Sequence, residues 1–68
     1  MFGVNRFHWF CFTYAYESGQ ASTYTGYNDK LITLDRITRN KKAAGVSSDA
    51  VLTACIYLGR MTKNEFTG

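Results

Sequence analysis

A chain of 68 residues with a formal net charge of +3 and 46% hydrophobic content is one small domain, 1–68, with room for a single two-layer core. Two cysteines are too few for a disulfide framework or a zinc cluster. No stretch approaches the roughly 20 consecutive apolar residues that a membrane span requires.

The amino-terminal segment lacks the features of a secretory signal. Arg6 could supply a charged start, but His8, Thr13 and the tyrosines interrupt the apolar run that a signal needs next. Together with cysteines that read as reduced, this predicts a soluble cytoplasmic protein.

Six of the eleven aromatic residues then fall between Phe7 and Tyr16. The segment reads as a strand, free of Gly and Pro and closed by Glu17-Ser18-Gly19-Gln20. Phe7, Trp9, Cys11, Thr13 and Ala15 share one face, and His8, Phe10, Phe12, Tyr14 and Tyr16 share the other. A strand with one face in water alternates apolar with polar residues, and this one does not. Both faces are therefore expected to be covered, the second by the chain itself, by a copy or by a partner.

Residues 22–28 suit a second strand joined to the first as a hairpin, with Gly26 marking a bulge. A helix is predicted from Thr33, an N-cap residue, with Asp35 in the first turn, Arg39 to Lys42 near the end and Gly45 as the left-handed terminator. Its inward stripe is predicted as Leu34, Ile37 and Ala44 with Thr38 and the stem of Lys41, helped at the entrance by Leu31 and Ile32. Ser47-Ser48-Asp49 reads as a turn. Residues 50–58 alternate as a third strand, with Ala50, Leu52, Ala54, Ile56 and Leu58 on one face and Val51, Thr53, Cys55 and Tyr57 on the other. Thr62-Lys-Asn-Glu65 has capping-box spacing and predicts one terminal helical turn that docks Phe66.

The order β-β-α-β predicts an α+β fold: a three-stranded, antiparallel-containing sheet covered on one face by one helix. A right-handed crossover places the last strand antiparallel to the first, in the order 2-1-3. Phe10 and Phe12 are expected to face the helix with Leu52, Ile56 and Leu58. Phe7, Trp9, Cys11, Cys55 and Tyr57, with Tyr24 or Tyr27, are expected to line the open face. There Cys11 and Cys55 could be cross-strand neighbours.

From Lys30 to Lys42, five basic residues stand against one acid, so the net positive charge belongs to this segment. Basic helices and aromatic sheet faces both occur in nucleic-acid modules, although no glycine-aromatic RNA-recognition signature is present. Closure of the aromatic face by residues 61–66 or by a twofold dimer contact is the commoner explanation of such a face. His8 is the only histidine, has no metal-ligand or carboxylate cluster beside it, and forms no recognisable nucleophile pair with Cys11 or Cys55. The chain is not expected to be an enzyme, and no cofactor is implied.

The segments Lys30-Leu-Ile-Thr-Leu-Asp-Arg-Ile37 and Tyr57-Leu-Gly-Arg-Met-Thr-Lys-Asn-Glu-Phe66 resemble those of short reading frames carried by phages and prophages of enteric bacteria. Many such proteins block host defence complexes, anti-CRISPR proteins among them. The resemblance implies a non-enzymatic inhibitor acting by surface occlusion on a host protein or ribonucleoprotein complex. Many anti-CRISPR proteins are acidic, whereas this chain is basic, so an acidic patch or the nucleic acid itself is the expected target. The expected contact residues are Trp9, Arg36, Arg39, Lys42 and Tyr57. The alternative is a single-stranded nucleic-acid-binding module using the same residues, and a third reading is a homodimer through the open face.

Overall fold

The computed structural model describes residues 5–68. In chain order, β1 (Arg6–Tyr16), β2 (Gly19–Tyr27), α1 (Leu34–Ala44), β3 (Val51–Thr62) and α2 (Lys63–Thr67) form an α+β fold. The three strands make one antiparallel sheet in the order β2-β1-β3, so the aromatic strand is central. Glu17 and Ser18 alone separate the paired residues Tyr16 and Gly19. The hairpin is thus tighter than the sequence reading, and β2 begins three residues earlier.

The core lies between β1 and α1. Phe10, Phe12, Tyr14 and Ala50 are buried, with Tyr27, Ile32, Ile37, Val46 and Leu52 packed around them. Helix α1 starts and stops as its sequence predicts. The Thr33 hydroxyl accepts from the Arg36 amide, and Gly45 takes the left-handed conformation (φ 72°), donating its N–H back to the last turn. Only glycine enters that conformation at little steric cost.

The helix face differs from the predicted stripe. Leu34 and Ala44 are exposed, as is Leu31 before the helix, while Asn40 is the buried helical residue. The Tyr14 hydroxyl donates to the Asn40 side-chain oxygen at 2.6 Å. A polar side chain can sit in a core when it has such a partner, and here the partner comes from the central strand. Burial raises the Tyr14 pKa above its ordinary value, with smaller contributions from Tyr27 and Cys55, so the phenol keeps the proton it donates.

Strand β3 also departs from simple alternation. Its register with β1 shifts between Thr13 and Tyr14 and again between Trp9 and Phe10, leaving Thr53 and Leu58 as extra residues. The Thr53 hydroxyl donates to the Thr13 carbonyl at 3.2 Å, using a side chain where the ladder is interrupted. Each extra residue reverses the facing of the residues after it. Cys55 and Tyr57 consequently pair with Phe12 and Phe10 on the helix side, and Ile56 pairs with Cys11 on the open side. The predicted open-face positions of Tyr57 and Cys55, and the helix-face position of Ile56, are thereby corrected. Cys11 and Cys55 sit on opposite faces and are both free.

No bulge occurs at Gly26, whose pairing with Trp9 is regular. Its role is close approach. A Cβ there would stand 3.0 Å from the Phe7 Cβ and 3.2 Å from two indole carbons of Trp9. Gly59 flanks Trp9 from the other strand, so the indole has a glycine neighbour on each side. Phe66 of α2 stacks on it, with ring centroids 4.1 Å apart and planes 1° from parallel. The indole N–H donates to the Met61 carbonyl at 2.9 Å. Helix α2 is held at its start by the predicted capping box: the Thr62 hydroxyl accepts from the Glu65 amide, and Glu65 accepts from the Thr62 amide.

Two exposed carboxylates tie loops to the frame and make stability pH-dependent. The Arg36 guanidinium, then the Leu31 amide, hold Asp29 below its ordinary pKa. The Thr62 amide, with Arg6 behind it, does the same for Glu65. A depressed folded-state pKa stabilises the fold above the unfolded-state value, and that stabilisation is lost as pH falls through the folded value. The melting temperature should therefore decline as pH drops below about 4. Asp29→Asn should lower it at neutral pH and flatten the acid limb; an acid limb identical to the parent's would remove Asp29 from this account.

Candidate binding surface

The sheet divides the molecule's two chemical features. The open face carries Trp9, Cys11, Thr13 and Ala15 of β1, with Tyr24 and Ser22 of β2 and Ile56, Ala54 and Val51 of β3. At one end the Trp9–Phe66 stack closes it, with Tyr24 leaning on Phe66 at 5.6 Å between ring centroids. Beyond that closure, Tyr24 (59% exposed) and Ile56 (54%) stand in solvent. None of these residues is charged. Helix α1 and its cations belong to the opposite face, since the helix packs on Phe10, Phe12 and Tyr14.

The five predicted contact residues therefore separate. Trp9 lies on the open face but is engaged by Gly26, Met61 and Phe66. Tyr57 lies on the helix side, where its hydroxyl is 2.8 Å from His8 Nδ1. Its ring packs 5.2 Å from Phe10 and carries the Lys30 ammonium 5.0 Å from its centroid. Arg36, with 26% of its side chain exposed, is already engaged. Its guanidinium donates to Asp29 Oδ1 and to the Leu31 carbonyl, each at 2.6 Å, and lies 4.4 Å from the centroid of Tyr27. Such a half-buried, multiply bonded arginine fixes the β2–α1 connection.

Arg39 and Lys42 remain available on α1, and Tyr57, 41% exposed, on β3. Arg39 pairs with Asp35 at 3.1 Å, one turn earlier, but both side chains are largely exposed, and pairs of this kind contribute little. Lys42 makes no ion pair among the described residues and borders a shallow depression of about 250 Å³ with Thr38, Lys41, Val46 and Ser48.

Two leucines join them. Leu34, 79% exposed, and Leu31, 67% exposed, occupy the first turn of α1 and its approach. Sequence reasoning assigned both to the core. The usable signal was Asn40: a helix whose inward face centres on Ile37 and Asn40 turns Leu34 toward solvent. Helix α1 thus leaves two large apolar side chains at its start and two cations farther along it exposed.

Among the described residues, no three His, Cys, Asp or Glu side chains converge as metal ligands. Partial desolvation, with Cys11 behind it, raises the pKa of the exposed Cys55 thiol above its ordinary value, which disfavours the thiolate. No helix among these residues is long and apolar enough to cross a membrane. Comparison with protein-family models, curated proteins and solved structures finds no match.

Proposed function

We propose that the chain is a binding protein with no chemical step of its own, occluding an acidic surface of a larger assembly through the outer side of α1. The observation that carries this reading is the exposed pair Leu31 and Leu34 at the start of a helix whose later turns expose Arg39 and Lys42. Apolar area supplies affinity on binding, and flanking cations supply orientation and association rate toward an acidic partner. The resemblance of Lys30–Ile37 and Tyr57–Phe66 to phage reading frames makes a cytoplasmic host defence complex, such as a CRISPR ribonucleoprotein, the class of partner to test first.

A single-stranded nucleic-acid platform needs stacking aromatics and cations along one path. Tyr24 stands on the open face, across the sheet from the cations of α1, and the exposed Tyr57 meets one cation, Lys30, on the helix side. One aromatic–cation pair falls short of a continuous path, which favours the protein-binding reading.

The test is capture from host lysate with and without nuclease, by the parent chain and by a Leu34→Asp/Arg39→Glu variant. A complex retained after nuclease and weakened at least tenfold by the double substitution is expected, a change of about 1.4 kcal/mol or more. Capture abolished by nuclease would point to nucleic acid, and undiminished capture by the variant would remove α1 as the contact.

A further inference from the structure

The two edges of the sheet are built differently. Strand β3 carries both register shifts, the charged Arg60 and, at its end, α2. Bulges, charges and covering elements are the usual means by which an edge is kept from pairing with another chain. Strand β2 has neither charges nor bulges. Its sequence, Gly-Gln-Ala-Ser-Thr-Tyr-Thr-Gly-Tyr, contains no charge and no proline, and its nine residues pair with β1 without a register shift. Among the described residues, no strand pairs with its outer side.

We propose that β2 is a self-association edge, pairing antiparallel with β2 of a second copy about a twofold axis at Thr23 and giving a continuous six-stranded sheet. The charge distribution selects a second copy as the occupant. An edge meant for an acidic partner would carry cations, and the chain has eight Lys and Arg residues, yet none lies in β2. Two copies of a +3 chain repel wherever their charges meet, and this strand is a place where they do not.

The register about Thr23 is favourable on both faces. On the helix side, Thr23 meets Thr23 of the second copy, with Ala21 opposite Thr25 on either side. Threonine pairs of this kind stabilise antiparallel neighbours. On the open side, Ser22 meets Tyr24 of the second copy, and the two Tyr24 residues stand diagonally about 7–8 Å apart, within reach of aromatic side chains. This partly covers Tyr24, the most exposed aromatic residue among those described. A twofold axis perpendicular to the sheet keeps both α1 helices on the same side, so the assembly also joins the two open faces into one surface. The proposal is independent of the role given to α1.

Light scattering coupled to gel filtration, from micromolar to millimolar concentration, tests it alongside a Ser22→Lys/Tyr24→Lys variant. Both positions are exposed, so the variant should keep the parent's far-UV circular dichroism while placing four lysines around the axis. The parent is expected to dimerise, with β2 amides gaining hydrogen-exchange protection on dimerisation, and the variant is expected to be monomeric. A second variant, Ile56→Lys, addresses the open face and should leave the dimer intact. A parent that stays monomeric at millimolar concentration would overturn the proposal. So would a dimer that survives the β2 lysines, or one dissolved by Ile56→Lys.

Discussion

Trp9→Ala should lower the melting temperature by roughly 15 °C or more, which corresponds to about 3 kcal/mol for a domain of this size. Truncating a packed tryptophan typically costs about 3–5 kcal/mol. Three contacts are lost here together: the Phe66 stack, the fit over Gly26 and the hydrogen bond to Met61. A core in a chain this small rarely supplies more than about 3–5 kcal/mol in total, so much of the variant should be unfolded at 25 °C. Trp9→Phe keeps an aromatic ring but loses the indole N–H, and should fall between the two. Gly26→Ala should act in the same direction by overpacking, because neither Phe7 Cβ nor the indole can retreat freely. Thermal denaturation followed by circular dichroism decides the matter. A Trp9→Ala melting temperature within a few degrees of the parent's would show that this seat contributes little and would return Trp9 to the candidates for partner contact.

The second large effect is expected at the buried hydrogen bond. Tyr14→Phe preserves the ring that packs beside Phe12 but leaves the Asn40 oxygen facing apolar atoms. An orphaned buried acceptor costs about 1–3 kcal/mol, more than the net worth of the bond itself. Asn40→Leu alone strands the phenol instead and should be destabilising by a similar amount. The double variant removes both polar groups, and its loss should be smaller than the sum of the two single losses. Denaturant midpoints for the four proteins give the coupling directly. Strictly additive losses would mean that the two groups do not depend on one another, contrary to the 2.6 Å contact.

Much of the architecture was legible because local signals agreed. The run from Phe7 to Tyr16, the Thr33 and Gly45 caps and the Thr62–Glu65 box each specify an element without reference to the others. The strand order is a consequence of chirality and connection length. Residue-level placement on β3 was not legible, because alternation has no memory across an extra residue, and nothing in Leu52-Thr53-Ala54 or Tyr57-Leu58-Gly59 announces one unambiguously. Tyr57 was misplaced for that reason. Leu34 was misplaced for another: a polar residue claimed the inward side of the helix, and only its hydrogen-bond partner on β1 explains why. Arg36 looked like a surface cation by composition. Its carboxylate partner lies seven residues earlier, outside the helix, where helical spacing gives no hint of it.

The chain has a single tryptophan, and that residue sits beneath α2 and not among Phe10, Phe12 and Tyr14. Its emission is therefore a private signal from the carboxy-terminal helix. A red shift in fluorescence marks the moment water reaches the indole as α2 lifts away, while the tyrosine-rich layer under α1 reports separately through circular dichroism. When the two signals change together, the five residues of α2 belong to the same cooperative unit as the sheet. When emission shifts first, the tail opens as a subunit of lower stability, and the indole becomes available on a face otherwise closed to it.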